Sequence, residues 1–105
     1  MLESKYQAQV IKELERRFPG CIVLKNDAEK LQGVPDLLIL FWDMWAALEV
    51  KTSARAPIQP NQEYYVDLMN QMSFAAFIYP SNEAEVLDAL QRTFETARSP
   101  FVSKP

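Results

Sequence analysis

The chain has 105 residues, 49% of them hydrophobic and 24% charged, with a net charge of −3; this suits one domain with one core and is too short for two ordinary ones. No apolar run approaches the roughly 20 residues of a membrane span, and MLESKYQ has no basic segment leading into a long apolar one, so a soluble intracellular protein is expected. Histidine is absent and Cys21 is the single cysteine, which excludes an internal disulfide, a cysteine zinc site and histidine catalysis, and leaves carboxylates, lysine, hydroxyls or a hard cation held by oxygen.

Residues 3 to 18 place Tyr6, Val10, Ile11, Leu14 and Phe18 at helical spacing, and Pro19-Gly20 stops the helix. CIVLK, residues 21 to 25, is a short apolar run rich in β-branched residues and predicts a first strand, with Cys21 as a buried small hydrophobe. PDLLILFW (35 to 42) and WAALEVK (45 to 51) predict a hairpin about a tight turn at Asp43-Met44. TSARAPIQP is a loop whose Pro60 opens a helix over about 61 to 72, with Tyr65, Leu68, Met69 and Met72 facing the core. SFAAFIYP (73 to 80) is a fourth strand. A last helix, capped by Ser81 or Asn82, carries Val86, Leu87, Leu90 and Phe94 on one stripe. The order αβββαβα predicts the α/β class: a mixed four-stranded sheet flanked by helices, one domain over 1–98, and a tail over 99–105.

The informative feature is a set of ionisable residues inside strands that are otherwise almost wholly apolar. Asp36 opens the first hairpin strand, and Glu49 and Lys51 lie near the end of the second. Burying an unpaired charge costs several kcal/mol, so charges in central strands are paired, metal-bound or functional. Residues two apart in a strand share a face, so Glu49 and Lys51 point one way, and hairpin pairing brings Asp36 beside them. Two ionised carboxylates one strand apart repel unless a cation sits between them. Mg²⁺ or Mn²⁺ suits such a site, taking oxygens from Asp36, Glu49 and the carbonyl of Val50. A metal ion and the Lys51 ammonium at one point suit phosphodiester hydrolysis. The competing explanation is a structural salt bridge from Lys51 to Glu49 or Asp36.

Gly33-Val34-Pro35-Asp36-Leu37-Leu38, followed 13 positions after Asp36 by Glu49-Val50-Lys51, resembles the signature of the PD-(D/E)XK nuclease superfamily. It is most similar to its VRR-NUC (virus-type replication and repair nuclease) branch, near the archaeal-type Holliday-junction resolvases. The resemblance spans nearly the full length and implies a restriction-endonuclease-like core. It implies metal ligation by Asp36 and Glu49 and catalysis by Lys51, with Glu3 as the helix-one acid and Gln62 as the family's glutamine; Glu13 or Glu15 could take the place of Glu3. The loop after the Glu49-Val50-Lys51 strand often touches the DNA backbone in such nucleases, which implies that role for Thr52, Ser53 and Arg55.

The expectation is a Mg²⁺-dependent endonuclease acting on branched DNA such as Holliday junctions, of the kind used in phage replication or DNA repair in the bacterial cytoplasm. Its branched-DNA preference rests on the resemblance alone. Paired cuts need two sites, so a homodimer is expected, with the apolar hairpin tip of Trp42, Met44 and Trp45 as a candidate contact, although the same aromatics could stack on DNA or fill the edge of the core. The alternatives are a nicking or flap-type nuclease working as a monomer or complex subunit, and a non-catalytic DNA-binding or regulatory phage protein. A negative net charge weighs against nucleic acid. Against that, Lys51 and Arg55 are the only charges from 50 to 62, and Lys5, Lys12, Arg16, Arg17, Lys25 and Lys30 enrich the first third in cations.

Overall fold

A computed structural model describes residues 1–27 and 29–97; the expected tail over 99–105 lies outside the described residues, as does residue 98. The chain runs α1 (Glu3–Arg17), β1 (Ile22–Lys25), β2 (Leu37–Phe41), β3 (Met44–Val50), α2 (Pro60–Met72), β4 (Phe74–Ile78) and α3 (Glu83–Ala97). The strands form one mixed sheet in the order β1-β2-β3-β4, antiparallel as far as β3 and parallel between β3 and β4. This is the expected α/β architecture and element order. Among the described residues no helix is long and apolar enough to cross a membrane.

The period of two along each strand sends alternate side chains to different helices. Leu37, Ile39, Phe41, Ala46, Leu48, Val50 and Ile78 join Tyr6, Val10, Leu14 and Phe18 of the α1 region and Val86, Leu87, Leu90 and Phe94 of α3 in the main core. Phe18 meets Phe94 edge-on with ring centres 5.2 Å apart, and Phe41 lies 5.6 Å from Phe18 and 5.3 Å from Phe94. Each large side chain buried here contributes about 1.5–3 kcal/mol. The opposite face is thinner. Ala47, Ala75 and Val66 form a small second core with Trp45, Met69 and Phe77 around it, where α2 packs on β3 and β4.

Three local expectations are corrected. The hairpin turn is Trp42-Asp43, one residue earlier than Asp43-Met44, because Phe41 pairs with Met44 and Trp42 takes the positive φ (55°) of a tight two-residue hairpin turn. Met44 and Trp45 therefore face opposite sides of the sheet: Met44 packs on the main core, Trp45 on the small one. Trp42, 52% exposed, stacks on Phe41 at 4.1 Å. On α2 the expected Tyr65, Leu68 and Met69 are half-buried, and Met69 packs on the small core; the fully buried residue is Val66, and Met72 is 65% exposed at the helix end, so the stripe centres on Val66 and stops short of Met72. Asn82 holds the expected cap position of α3, its carbonyl accepting the Val86 N–H at 2.9 Å, but its side chain turns back to the end of β4: its Oδ1 accepts from the Tyr79 N–H at 2.8 Å, and its Nδ2 donates to the Phe77 carbonyl at 3.0 Å. Cys21 is half-buried at the head of β1, its thiol pushed up by burial.

Gly33 ties the loop before β2 to the start of α2. It has φ +92°, and a Cβ there would lie 2.7 Å from the backbone carbon of Asn61. Gly20 has a similar φ of +91° but open space around it. Gly33→Ala is therefore expected to cost more than about 1 kcal/mol and to exceed the cost of Gly20→Ala, because it adds a backbone clash to the strain. Urea unfolding midpoints of the two variants check this.

Candidate active site

Asp36 sits immediately before β2, Glu49 is the penultimate residue of β3, and Lys51 follows β3. The β2–β3 register pairs Leu37 with Leu48, so one further step sets Asp36 opposite Glu49. The Asp36 carboxylate accepts the Val50 N–H at 2.8 Å. A second link runs from the Asp36 N–H to the Glu49 carboxylate. Lys51 extends the parallel pairing with its N–H on the Ile78 carbonyl at 2.9 Å. Its ammonium lies 3.8 Å from Glu49 Oε2. All three ionisable side chains thus meet at one end of the sheet, on the α2 side.

Gln62 joins the acid to the base. Its Nε2 donates to Glu49 Oε2 at 3.0 Å, and its Oε1 accepts from Lys51 Nζ at 2.9 Å. The same Oε1 accepts the Gln59 N–H at 3.0 Å, and the Gln59 carbonyl accepts the Gln62 N–H at 3.0 Å, so the two residues close the first turn of α2 around Pro60. Closing the first turn of α2 therefore fixes the glutamine that bridges the site. The Pro57 carbonyl takes a second Lys51 donor at 3.0 Å. Gln62→Ala would leave a buried carboxylate and a buried ammonium each short of a partner. The expected loss is about 1–2 kcal/mol of stability, visible in chemical unfolding.

The electrostatics are those of two crowded acids. Glu49 is 2% exposed and Lys51 8%. Burial, then the charge of Asp36, raises the Glu49 carboxyl to about 7; Lys51 pulls it down, and Glu3 pushes it up again. Asp36 is also raised, mainly by burial, against the Val50 N–H, the Lys51 charge and a hydrogen bond with Glu49. Glu3 is thus near enough to act on Glu49 through its charge although it is exposed. Of the other two helix-one acids, Glu13 pairs with Arg16 and Glu15 acts through its charge on Cys21.

The expected DNA-contacting loop leaves the site directly after Lys51. Ser53 Oγ accepts the Arg55 N–H at 3.2 Å and the Ser53 carbonyl accepts the Ala56 N–H, so the serine shapes a turn from which the exposed Arg55 projects. Thr52 is half-buried beside it. Sequence reasoning missed three supporting groups. Asn26 Nδ2 donates to the Pro35 carbonyl at 2.7 Å and the Asn26 N–H to the Asp36 carbonyl at 2.8 Å, bracing the residue that carries the acid. Pro57 and Gln59 act through the backbone and the cap, where side-chain chemistry gives no signal.

Among the described residues no group of three or more Asp, Glu, His or Cys side chains is arranged to hold a metal ion. The donor set is a pair, Asp36 and Glu49, each held above its ordinary pKa by burial and, for Glu49, by the neighbouring acid. A divalent cation fits that pair, because it removes the repulsion and needs few protein ligands if water completes its shell. A shallow hollow of about 520 Å³ lined by Met44, Ala89, Arg92, Thr93 and Thr96 lies apart from the carboxylates and brings no acid–base pair together. The chain matches no family model, no curated protein and no solved structure.

Proposed function

We propose that this chain is a Mg²⁺- or Mn²⁺-dependent DNA endonuclease of the PD-(D/E)XK type, similar to the VRR-NUC branch, acting on branched DNA such as Holliday junctions in the cytoplasm. The observation that carries the reading is the convergence of Asp36, Glu49 and Lys51 at one end of the sheet, bridged by Gln62. A restriction-endonuclease-like core is part of the proposal, supported by the antiparallel β1-β2-β3 meander followed by parallel β4.

Asp36 and Glu49, with the Val50 carbonyl, would hold the cation. When bound, it would supply charge neutralisation at the phosphate and a more acidic water. Lys51 has three donors, of which Gln62 and Pro57 take two, leaving one for a phosphate oxygen as negative charge develops there. Fixing that ammonium in advance spares reorganisation during the reaction. Arg55, with Thr52 and Ser53, would meet the backbone phosphates next to the cut. Phosphate contacts position a duplex without reading its sequence, so cleavage should follow DNA shape.

Symmetric cutting of a four-way junction needs two sites, so a twofold homodimer belongs to the proposal. A gel assay with four-way junction, flap, single-stranded and linear duplex DNA, with Mg²⁺ or Mn²⁺ and with chelator, tests it. Paired junction cuts that chelator stops are expected. Single nicks or flap removal would favour a monomeric nicking or flap nuclease. No cleavage of any substrate with either metal would leave a non-catalytic DNA-binding protein.

A further inference from the structure

Asp36, Glu49 and Lys51 lie at the end of the sheet where α1 and α3 both begin. β1 runs toward that end, its Lys25 pairing with Leu37, so α1, folded back on it through the short link 18–21, starts there. β4 also ends there, with Ile78 opposite Val50, and α3 follows. The first turn of α1 is poorly held by itself. Leu2 stands at its N-cap with no side-chain cap hydrogen bond, and residues 1 to 5 are all exposed; helix ends of that kind fray. Tyr6 is the first residue of the helix to be buried, at 2% exposed, and its hydroxyl donates to Glu83 Oε1 at 2.7 Å. Glu83 opens α3, and its place is set from the sheet. The Asn82 side chain beside it holds the Phe77 carbonyl and the Tyr79 N–H, and the Ile78 carbonyl between them takes the Lys51 N–H at 2.9 Å.

We infer that Tyr6 and Glu83 are positioning residues for the cation site: their hydrogen bond pins the first turn of α1 to the start of α3 and so holds Glu3 at the carboxylate end of the sheet. This role rests on the proposed nuclease reading for the cation and goes beyond it in the two residues named. Glu3 and Tyr6 are three positions apart on one helix face, about 4.5 Å along the axis. Glu3 acts on Glu49 through its charge, an influence that a frayed first turn would lose. A phenylalanine would fill the space at position 6 equally well. A buried phenol must find an acceptor, and the acceptor fixes how the helix is rotated; a carboxylate acceptor makes the bond stronger than one between neutral groups. The clasp of Arg17 on Asp88 at 2.8 Å also joins α1 to α3, but Asp88 is 57% exposed and Arg17 sits beside Phe41 and Trp42 at the opposite end of the sheet. Among the described residues Glu3 does not group with Asp36 and Glu49 as a third direct ligand. It would bear on a cation through the ion's water shell, where such outer partners change metal affinity about 10- to 100-fold.

Calorimetric titration of the full chain with Mn²⁺ tests this. Tyr6→Phe keeps the ring and loses the hydroxyl, Glu83→Gln keeps an acceptor, and Asp88→Asn loosens the clasp at the far end. Tyr6→Phe and Glu3→Gln should each bind Mn²⁺ about tenfold more weakly than wild type, while Glu83→Gln and Asp88→Asn stay close to it. In the Glu3→Gln background Tyr6→Phe should cost nothing further, because the residue it positions is gone. Saturating Mn²⁺ should restore junction cleavage by Tyr6→Phe, since affinity is lost and the reacting groups are intact. An unchanged affinity in Tyr6→Phe overturns the inference. So does a loss that persists in the Glu3→Gln background or appears equally in Asp88→Asn, because either means a general loosening of the fold. If Tyr6→Phe does not fold, Glu83→Ala decides the matter by the same criteria. A wild type that shows this coupling in Mn²⁺ binding but cleaves no DNA would sink the nuclease proposal alone, and a cleaving wild type whose Tyr6→Phe variant binds Mn²⁺ as well would sink this inference alone. A wild type that binds no Mn²⁺ sinks both.

Discussion

Asp36→Asn, Glu49→Gln and Lys51→Ala are each expected to lower junction cleavage by more than about 10²-fold, because each removes several kcal/mol of transition-state stabilisation. The three losses differ in kind. Asp36→Asn and Glu49→Gln should weaken cation binding, since an amide oxygen is a poorer ligand for a hard ion than a carboxylate. Lys51→Ala should keep the cation, because the ammonium is bound to Gln62 and Pro57 and lies 3.8 Å from Glu49 without being a ligand. Titration of Mn²⁺ by calorimetry, beside cleavage rates, separates the two groups. Full activity of Asp36→Asn would sink the assignment.

The sequence carried the charged site further than it carried the surface. Asp36, Glu49 and Lys51 stood out because each is an ionisable residue in a β-rich apolar run, and strand periodicity with hairpin pairing is enough to predict that they meet. The stripe of α3 was equally legible, as Val86, Leu87, Leu90 and Phe94 bury together. α2 was not. Its apolar residues fit more than one stripe, and only the small side chains of Ala47 and Ala75 on the sheet beneath decide that Val66 is the one to bury. The turn moved by one residue because Trp42, not a glycine or asparagine, takes the left-handed position. Asn82 and Gln59 show the same limit: a capping side chain is common at either end of a short loop, and its target is set by the three-dimensional path. The bracing of Asp36 by Asn26 had no sequence signal, since it spans a loop and acts through backbone carbonyls.

Glu49→Gln should also stabilise the cation-free protein at pH 8, even as it abolishes cleavage. The folded protein holds the Glu49 carboxyl at about 7, against an ordinary value of 4.5, chiefly through burial and then Asp36. A raised carboxyl binds a proton in the folded state that the unfolded chain has lost, so stability falls as pH rises from about 4.5 to 7 and is flat above. The full cost is at most about 3.5 kcal/mol. The amide keeps an acceptor for Gln62 Nε2, which donates to Glu49 Oε2 at 3.0 Å, and it carries no charge to bury. Melting curves at pH 5 and pH 8, with chelator, should show the variant close to wild type at pH 5 and more stable at pH 8. Adding Mg²⁺ at pH 8 should raise the melting temperature of wild type and leave the variant nearly unchanged, since the cation binds the ionised pair. The reverse result, a variant less stable than wild type at pH 8, would mean that the Lys51–Glu49 ion pair outweighs the burial of both charges. In that case the pair is a structural salt bridge, and the cation has no unmet charge to satisfy.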